Sequence, residues 1–132
     1  MSALPILMLM DSIQRKAVYV GRQVFGLPAM SDPKERLLRF SEEAAELQQA
    51  CGLTLEEYIM IGQHVFERAK GEIFQEIGGA GSTLFSLAEV HGLDTLKMVD
   101  KECDRVWQNQ VAIRAKAAKK PGHIFSTRPI SE

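Results

Sequence analysis

Two stretches of this chain set carboxylates at helical spacing: Arg39-Phe40-Ser41-Glu42-Glu43-Ala44-Ala45-Glu46-Leu47 and Gly71-Glu72-Ile73-Phe74-Gln75-Glu76-Ile77-Gly78-Gly79. Side chains three or four positions apart leave one face of an α-helix. Glu43 and Glu46 therefore share a face, as do Glu72 and Glu76, and antiparallel packing of the two helices would let the pairs converge. Four carboxylates held close repel one another unless a cation lies between them. An all-oxygen, anionic donor set suits a hard divalent ion, Mg²⁺ first, with Mn²⁺ able to substitute. A solvated helix face built from ordinary helix formers would read the same way at either stretch alone. The recurrence on two separate helices is what gives the metal reading its weight.

On a helical wheel Glu43 and Glu76 flank the apolar stripes of their helices. Glu46 lies further toward the polar side, and Glu42 points nearly opposite the stripe. A line of polar or small residues, Glu72, Glu76, Gly79, Thr83 and Ser86, runs beside the second stripe and could form one wall of a cleft.

The rest of the chain supplies helices to position these groups. Strand-like alternation is scarce, and no internal repeat or low-complexity block stands out. The expected fold is all-α, an antiparallel bundle of four to five helices over residues 1–122, with residues 123–132 as a loosely held tail. A first helix is expected from about Leu4 to Phe25, broken by Gly26-Leu27-Pro28. Ser31-Asp32-Pro33 opens a second, through the stripe Leu37, Phe40, Ala44, Leu47 and Cys51, with Gly52 as its C-terminal cap. Thr54-Leu55-Glu56-Glu57 has the pattern of a capping box and opens a third helix to about Arg68. The fourth starts near Lys70 or Gly71 and ends at His91-Gly92, with the stripe Ile73, Ile77, Ala80, Leu84 and Leu87. Asp94 caps a fifth through Leu96, Val99, Cys103, Val106 and Val111, stopped by Pro121-Gly122.

With 132 residues, 45% of them hydrophobic and 25% charged, the chain has the composition of one globular domain with a core. A net charge of −1 gives no basic field for nucleic acid. Two cysteines without close spacing argue against a disulfide framework or a zinc site and fit a reducing cytosol. The apolar start from Met1 to Met10 lacks a basic leader, ends at Asp11 and is too short to cross a bilayer, so it is expected to begin a buried helix.

The string Arg39-Phe40-x-Glu42-Glu43-x-x-Glu46-Leu47, then Gln75-Glu76-Ile77-Gly78 and Leu84-x-x-Leu87, resembles the MazG-like all-α nucleoside triphosphate pyrophosphohydrolases. The resemblance spans roughly Lys34 to Lys119 and includes His91-Gly92-Leu93-Asp94. It is nearest to a short form found in phages and prophages, with a cytosolic location in the host. That family carries an E-x-x-E motif on one helix and E-x-x-D on the next. The resemblance places Glu43 and Glu46 in the first motif and Glu76 at the head of the second. The family's Asp falls on Gly79; Glu72, one turn before Glu76, is the candidate replacement ligand, with Asp100 and Asp104 on the next helix as weaker candidates.

The activity so implied is hydrolysis of a nucleoside or deoxynucleoside triphosphate to the monophosphate and pyrophosphate with Mg²⁺, by a homodimer or homotetramer. The chain's size resembles the MazZ-like guanine nucleotide branch, which makes dGTP or GTP the expected substrate. Besides its metal ligands Glu43 and Glu46, the catalytic set includes Glu42; either Glu42 or Glu46 would take a proton from the attacking water. Lys101 and Arg105, one turn apart, would hold the outer phosphates, although surface solubility explains them equally well. Arg39 and Phe40 join the substrate-binding set, with Phe40 against the base beside the first helix and the turn from Phe25 to Met30.

Other residues draw blander readings. Gly78-Gly79-Ala80-Gly81-Ser82 lacks the ending of a P-loop and is expected to permit close helix approach. His64 and His91 are isolated, with His91 suited to a helix C-terminus. Cys51 and Cys103 sit on apolar stripes and are expected in the core. Trp107 reads as packing, and the basic tip Arg114, Lys116, Lys119, Lys120 as a helix-end charge bias. The competing hypothesis for the whole chain is a non-catalytic helical interaction module that lost the Asp at Gly79.

Overall fold

The computed structural model describes residues 12–119. Within them lie seven α-helices and no strand: α1 (Ile13–Phe25), α2 (Leu27–Ser31), α3 (Pro33–Ala50), α4 (Leu55–Phe66), α5 (Ile73–Val90), α6 (Thr95–Gln108) and α7 (Gln110–Ala118). The class is all-α. The expected helical start at Leu4 and the tail after His123 lie outside the described residues. The chain divides into two compact units. One comprises the described residues through Arg39 together with those from Leu93 onward; the other is Phe40–Gly92.

The first unit is built on α1 against α6. Ser12 starts α1 by accepting the Arg15 N–H at its Oγ, 3.1 Å. Lys16, Val20 and Val24 then recur every four residues on one face. Val20 and Val24 are 3% and 2% exposed and meet Cys103 of α6, 5% exposed. Ala17, Tyr19, Val99, Val106, Trp107 and Ile113 pack around them. Burial of each valine stabilises by roughly 1.5–3 kcal/mol. Trp107 does pack, stacked on Tyr19 with ring centroids 6.3 Å apart.

The end of α1 is fixed from a distance. Gly26 takes φ +87°, a conformation open to glycine, and its N–H donates to Arg22 O. Arg114 of α7 donates from Nε to Val24 O at 2.6 Å and from Nη2 to Gln23 O at 2.9 Å. These bonds satisfy carbonyls that the helix leaves open. The turn after Phe25 is a short helix, because Pro28 stands in the first turn of α2, where proline is compatible with helix. Met30 of α2 lies over Gly21, where a Cβ would come within 2.5 Å of Met30 Cε.

From Asp32 to Gly92 the expected punctuation holds. Asp32 caps α3 through the N–H groups of Lys34 and Glu35, at 2.9 and 3.2 Å. Thr54 caps α4 by accepting the Glu57 N–H, 3.1 Å. Gly52 and Gly92 take φ +97° and +68° at the ends of α3 and α5. Burial differs from expectation. No residue of Phe40–Gly92 is fully buried. Phe40, Ile73 and Phe66 are 59%, 79% and 91% exposed, and Leu47, Ile59, Ile77 and Phe85 are also exposed. The stripes of α3 and α5 are present, but in the single chain they are not a core. Cys51, expected in the core, is exposed.

The expected fifth helix is two. Asn109 closes α6 with φ −111° and ψ 24°, and its side-chain Nδ2 donates to Arg105 O at 2.9 Å. An asparagine that bonds its own preceding turn ends a helix without Gly or Pro.

Candidate functional site

Glu42, Glu43 and Glu46 lie within the uninterrupted α3, Glu42 half-buried and the other two exposed. Glu72 is the N-cap of α5 and makes no side-chain capping bond, and Glu76 stands in the first turn. Both are exposed. The carboxylate of Glu76 folds back over Gly71, where a Cβ would overlap Oε1. Glycine at position 71 therefore keeps that path clear. At the positive end of a helix dipole, acidic groups such as Glu72 and Glu76 contribute about 0.3–1 kcal/mol each. Glu43 and Glu46, in mid-helix, have no such local role.

The two pairs keep the spacing read from the sequence, and all five carboxylates belong to Phe40–Gly92. Among the described residues, no three His, Cys, Asp or Glu side chains gather as a cation site. Along the proposed cleft wall, Thr83 Oγ1 donates to Gly79 O at 2.9 Å and Ser86 Oγ to Ser82 O at 3.1 Å. Both hydroxyls are turned back on their own helix. A Cβ on Gly78, Gly79 or Gly81 would meet nothing within 4 Å. The close helix approach expected of that run is thus not made among the described residues.

The candidate substrate residues are distributed between the units. Phe40 belongs with the carboxylates. Arg39 ends the first unit's share of α3 and donates from Nε to Glu35 Oε1 at 2.9 Å. Lys101 and Arg105 are exposed on α6 in the first unit. Arg105 holds Glu102 with two bonds, 2.8 Å from Nε and 2.5 Å from Nη2. These bonds draw the Glu102 carboxyl below its ordinary pKa, against the opposing effect of partial burial.

Two pairings escape a local reading. Lys16 is 6% exposed, yet its Nζ reaches Asp100 Oδ1 at 2.6 Å and Asp104 Oδ1 at 2.9 Å. Burial pushes its pKa down, but the hydrogen bonds and negative charges of the two aspartates outweigh this and raise it. The available signal was a lysine in register with Val20 and Val24, facing two acids one turn apart. The second is Cys51 Sγ against His91 Nε2, 3.7 Å apart. Its signal was a turn used twice, Cys51-Gly52-Leu53-Thr54 and His91-Gly92-Leu93-Asp94.

Comparison with protein-family models, with curated proteins and with solved structures gave no match. Among the described residues no helix is long and apolar enough to cross a membrane.

Proposed function

We propose that this chain hydrolyses a nucleoside or deoxynucleoside triphosphate, dGTP or GTP in first place, to the monophosphate and pyrophosphate, and that it does so as a homo-oligomer. The observation that carries this reading is the pair of acidic sets, Glu43 with Glu46 and Glu72 with Glu76, on helices that have no buried residue. The MazG-like string around them supports the same reading.

The donor chemistry fits a hard divalent cation, since all four groups are carboxylates. In this reading the four carboxylates come together in the homo-oligomer. Glu43, Glu46, Glu76 and Glu72 would hold Mg²⁺ or Mn²⁺, with Glu72 standing in for the acid missing at Gly79. When bound, such an ion offsets charge on the triphosphate and lowers the pKa of water. Glu42 or Glu46 accepts the proton of the attacking water. Lys101 and Arg105 bind the outer phosphates, Arg105 after exchanging its bonds to Glu102. Arg39 and Phe40 flank the nucleotide.

The uncovered faces also support the oligomer. Phe40, Leu47, Ile73, Ile77 and Phe85 are each exposed, and apolar faces of this kind are the ones that association covers. Gln48 Oε1, shielded from solvent, accepts no hydrogen bond among the described residues, an acceptor a second copy could satisfy.

The test is pyrophosphate release from each NTP and dNTP with Mg²⁺ or Mn²⁺. Turnover should be lost in Glu43→Gln with helicity unchanged; full activity in that variant removes the assignment. Gly79, where the family motif has Asp, favours one rival, an interaction module without catalysis. That rival predicts no rise in melting temperature with either cation, because an ion that binds only the folded state must raise it.

A further inference from the structure

We infer that Cys51 and His91 form a binding site for a borderline transition cation of the Zn²⁺ class, separate from the carboxylates and independent of the nucleotide reading. The donors are one sulfur and one imidazole nitrogen, the combination that selects such ions over Mg²⁺. They come from positions 40 residues apart. Each occupies the same place in the same kind of turn, directly after its helix and directly before a glycine of positive φ, Gly52 or Gly92.

The separation is right for chelation. Zn–S near 2.3 Å and Zn–N near 2.0–2.1 Å with a tetrahedral angle put sulfur and nitrogen about 3.6 Å apart. In the structure they are 3.7 Å apart. Little movement is needed for both to bind one ion.

The electrostatics favour a cation at this spot. Cys51 follows the last residue of α3 and His91 the last residue of α5. Both helices therefore present their carbonyl ends, the negative end of the dipole, to the pair. On binding, the thiol proton leaves to solvent and the imidazole coordinates in its neutral form. Both side chains are exposed, leaving the outward coordination positions to water. Cys103, buried in the first unit's core, cannot compete.

Cobalt(II) titration of the full chain tests the proposal, because thiolate-to-Co²⁺ charge transfer gives a near-ultraviolet band that carboxylates cannot produce. The band should saturate at one equivalent per chain and vanish in Cys51→Ser. It should weaken by at least about tenfold in His91→Gln, the lower end of what losing even an outer partner costs a metal site. Glu43→Gln should leave it intact, which keeps this result distinct from failure of the nucleotide reading. Alkylation of Cys51, located by peptide mapping in the native chain, should be slowed by Zn²⁺ and restored by a chelator. Absence of the band at saturating Co²⁺, its persistence in Cys51→Ser, its indifference to His91→Gln, or alkylation unaffected by Zn²⁺ would overturn the site.

Discussion

The two units use the same local devices and reach opposite degrees of burial. In the first, Val20, Val24 and Cys103 are sealed beneath Trp107, Val106 and Ile113, and even a lysine is enclosed with two partners. In Phe40–Gly92 Thr54 caps α4, and Gly52 and Gly92 end α3 and α5, yet no residue is buried. A capped amphipathic helix specifies a face to be covered; it does not carry its own cover. Helical stability in proteins comes mostly from tertiary packing of that face. The first unit finds that packing among the described residues, and the second does not.

The contrast breaks most sharply at catalysis. Replacing Glu43 by Gln should abolish pyrophosphate release while circular dichroism stays unchanged, placing the chemistry in the uncovered unit. Stability effects should concentrate in the other one. Asp100→Asn with Asp104→Asn leaves the enclosed Lys16 without a counter-charge and should cost about 3 kcal/mol in denaturant unfolding. Lys16→Met should cost far less, since the half-exposed aspartates can turn to water. Equal losses from the two would refute the burial asymmetry.

Val24→Ala should cost about 1–3 kcal/mol at any protein concentration, as a buried apolar deletion does. Ile77→Ser, on the exposed face of α5, should change the dilute chain by no more than about 0.5 kcal/mol. It should instead lower the assembled mass seen by sedimentation. A concentration-independent loss as large as that of Val24→Ala would show that the face is already covered within the chain.

The smallest effect expected is a pH dependence confined to the first unit. The folded pKa of Lys16 is raised. Its contribution is therefore whole below the unfolded-state pKa and is lost as pH rises through the folded value. The melting temperature should fall through that alkaline window, and Lys16→Met should flatten the fall.

Much of the fold was legible because its punctuation is local. Asp32, Thr54 and Asp94 each cap a helix by bonding an N–H three residues on, and Gly52 and Gly92 end helices through conformations glycine favours. The break after Phe25 was legible in Gly26-Leu27-Pro28. Two features were hidden for equally local reasons: the short α2 that follows the break, since Pro28 also suits a first turn, and the end of α6, where Asn109 bonds Arg105 O with no Gly or Pro to announce it. The candidate site was legible only as spacing. Glu43 with Glu46 and Glu72 with Glu76 follow from helical periodicity, but whether the pairs meet depends on what packs between their helices. Cys51 shows the limit of a stripe, which names a face without saying whether anything lies on it.

By itself, the amino-acid order determined the helical class, the caps and the faces on which charge and apolar groups stand. Each of these depends on atoms within about one helical turn. Tertiary structure alone decided that Lys16 meets Asp100 and Asp104, that Arg114 closes α1, and that Cys51 faces His91. Those contacts join residues 40 to 91 positions apart. Their geometry is set by which apolar surfaces exclude water together, a property of the packed chain that no short window contains.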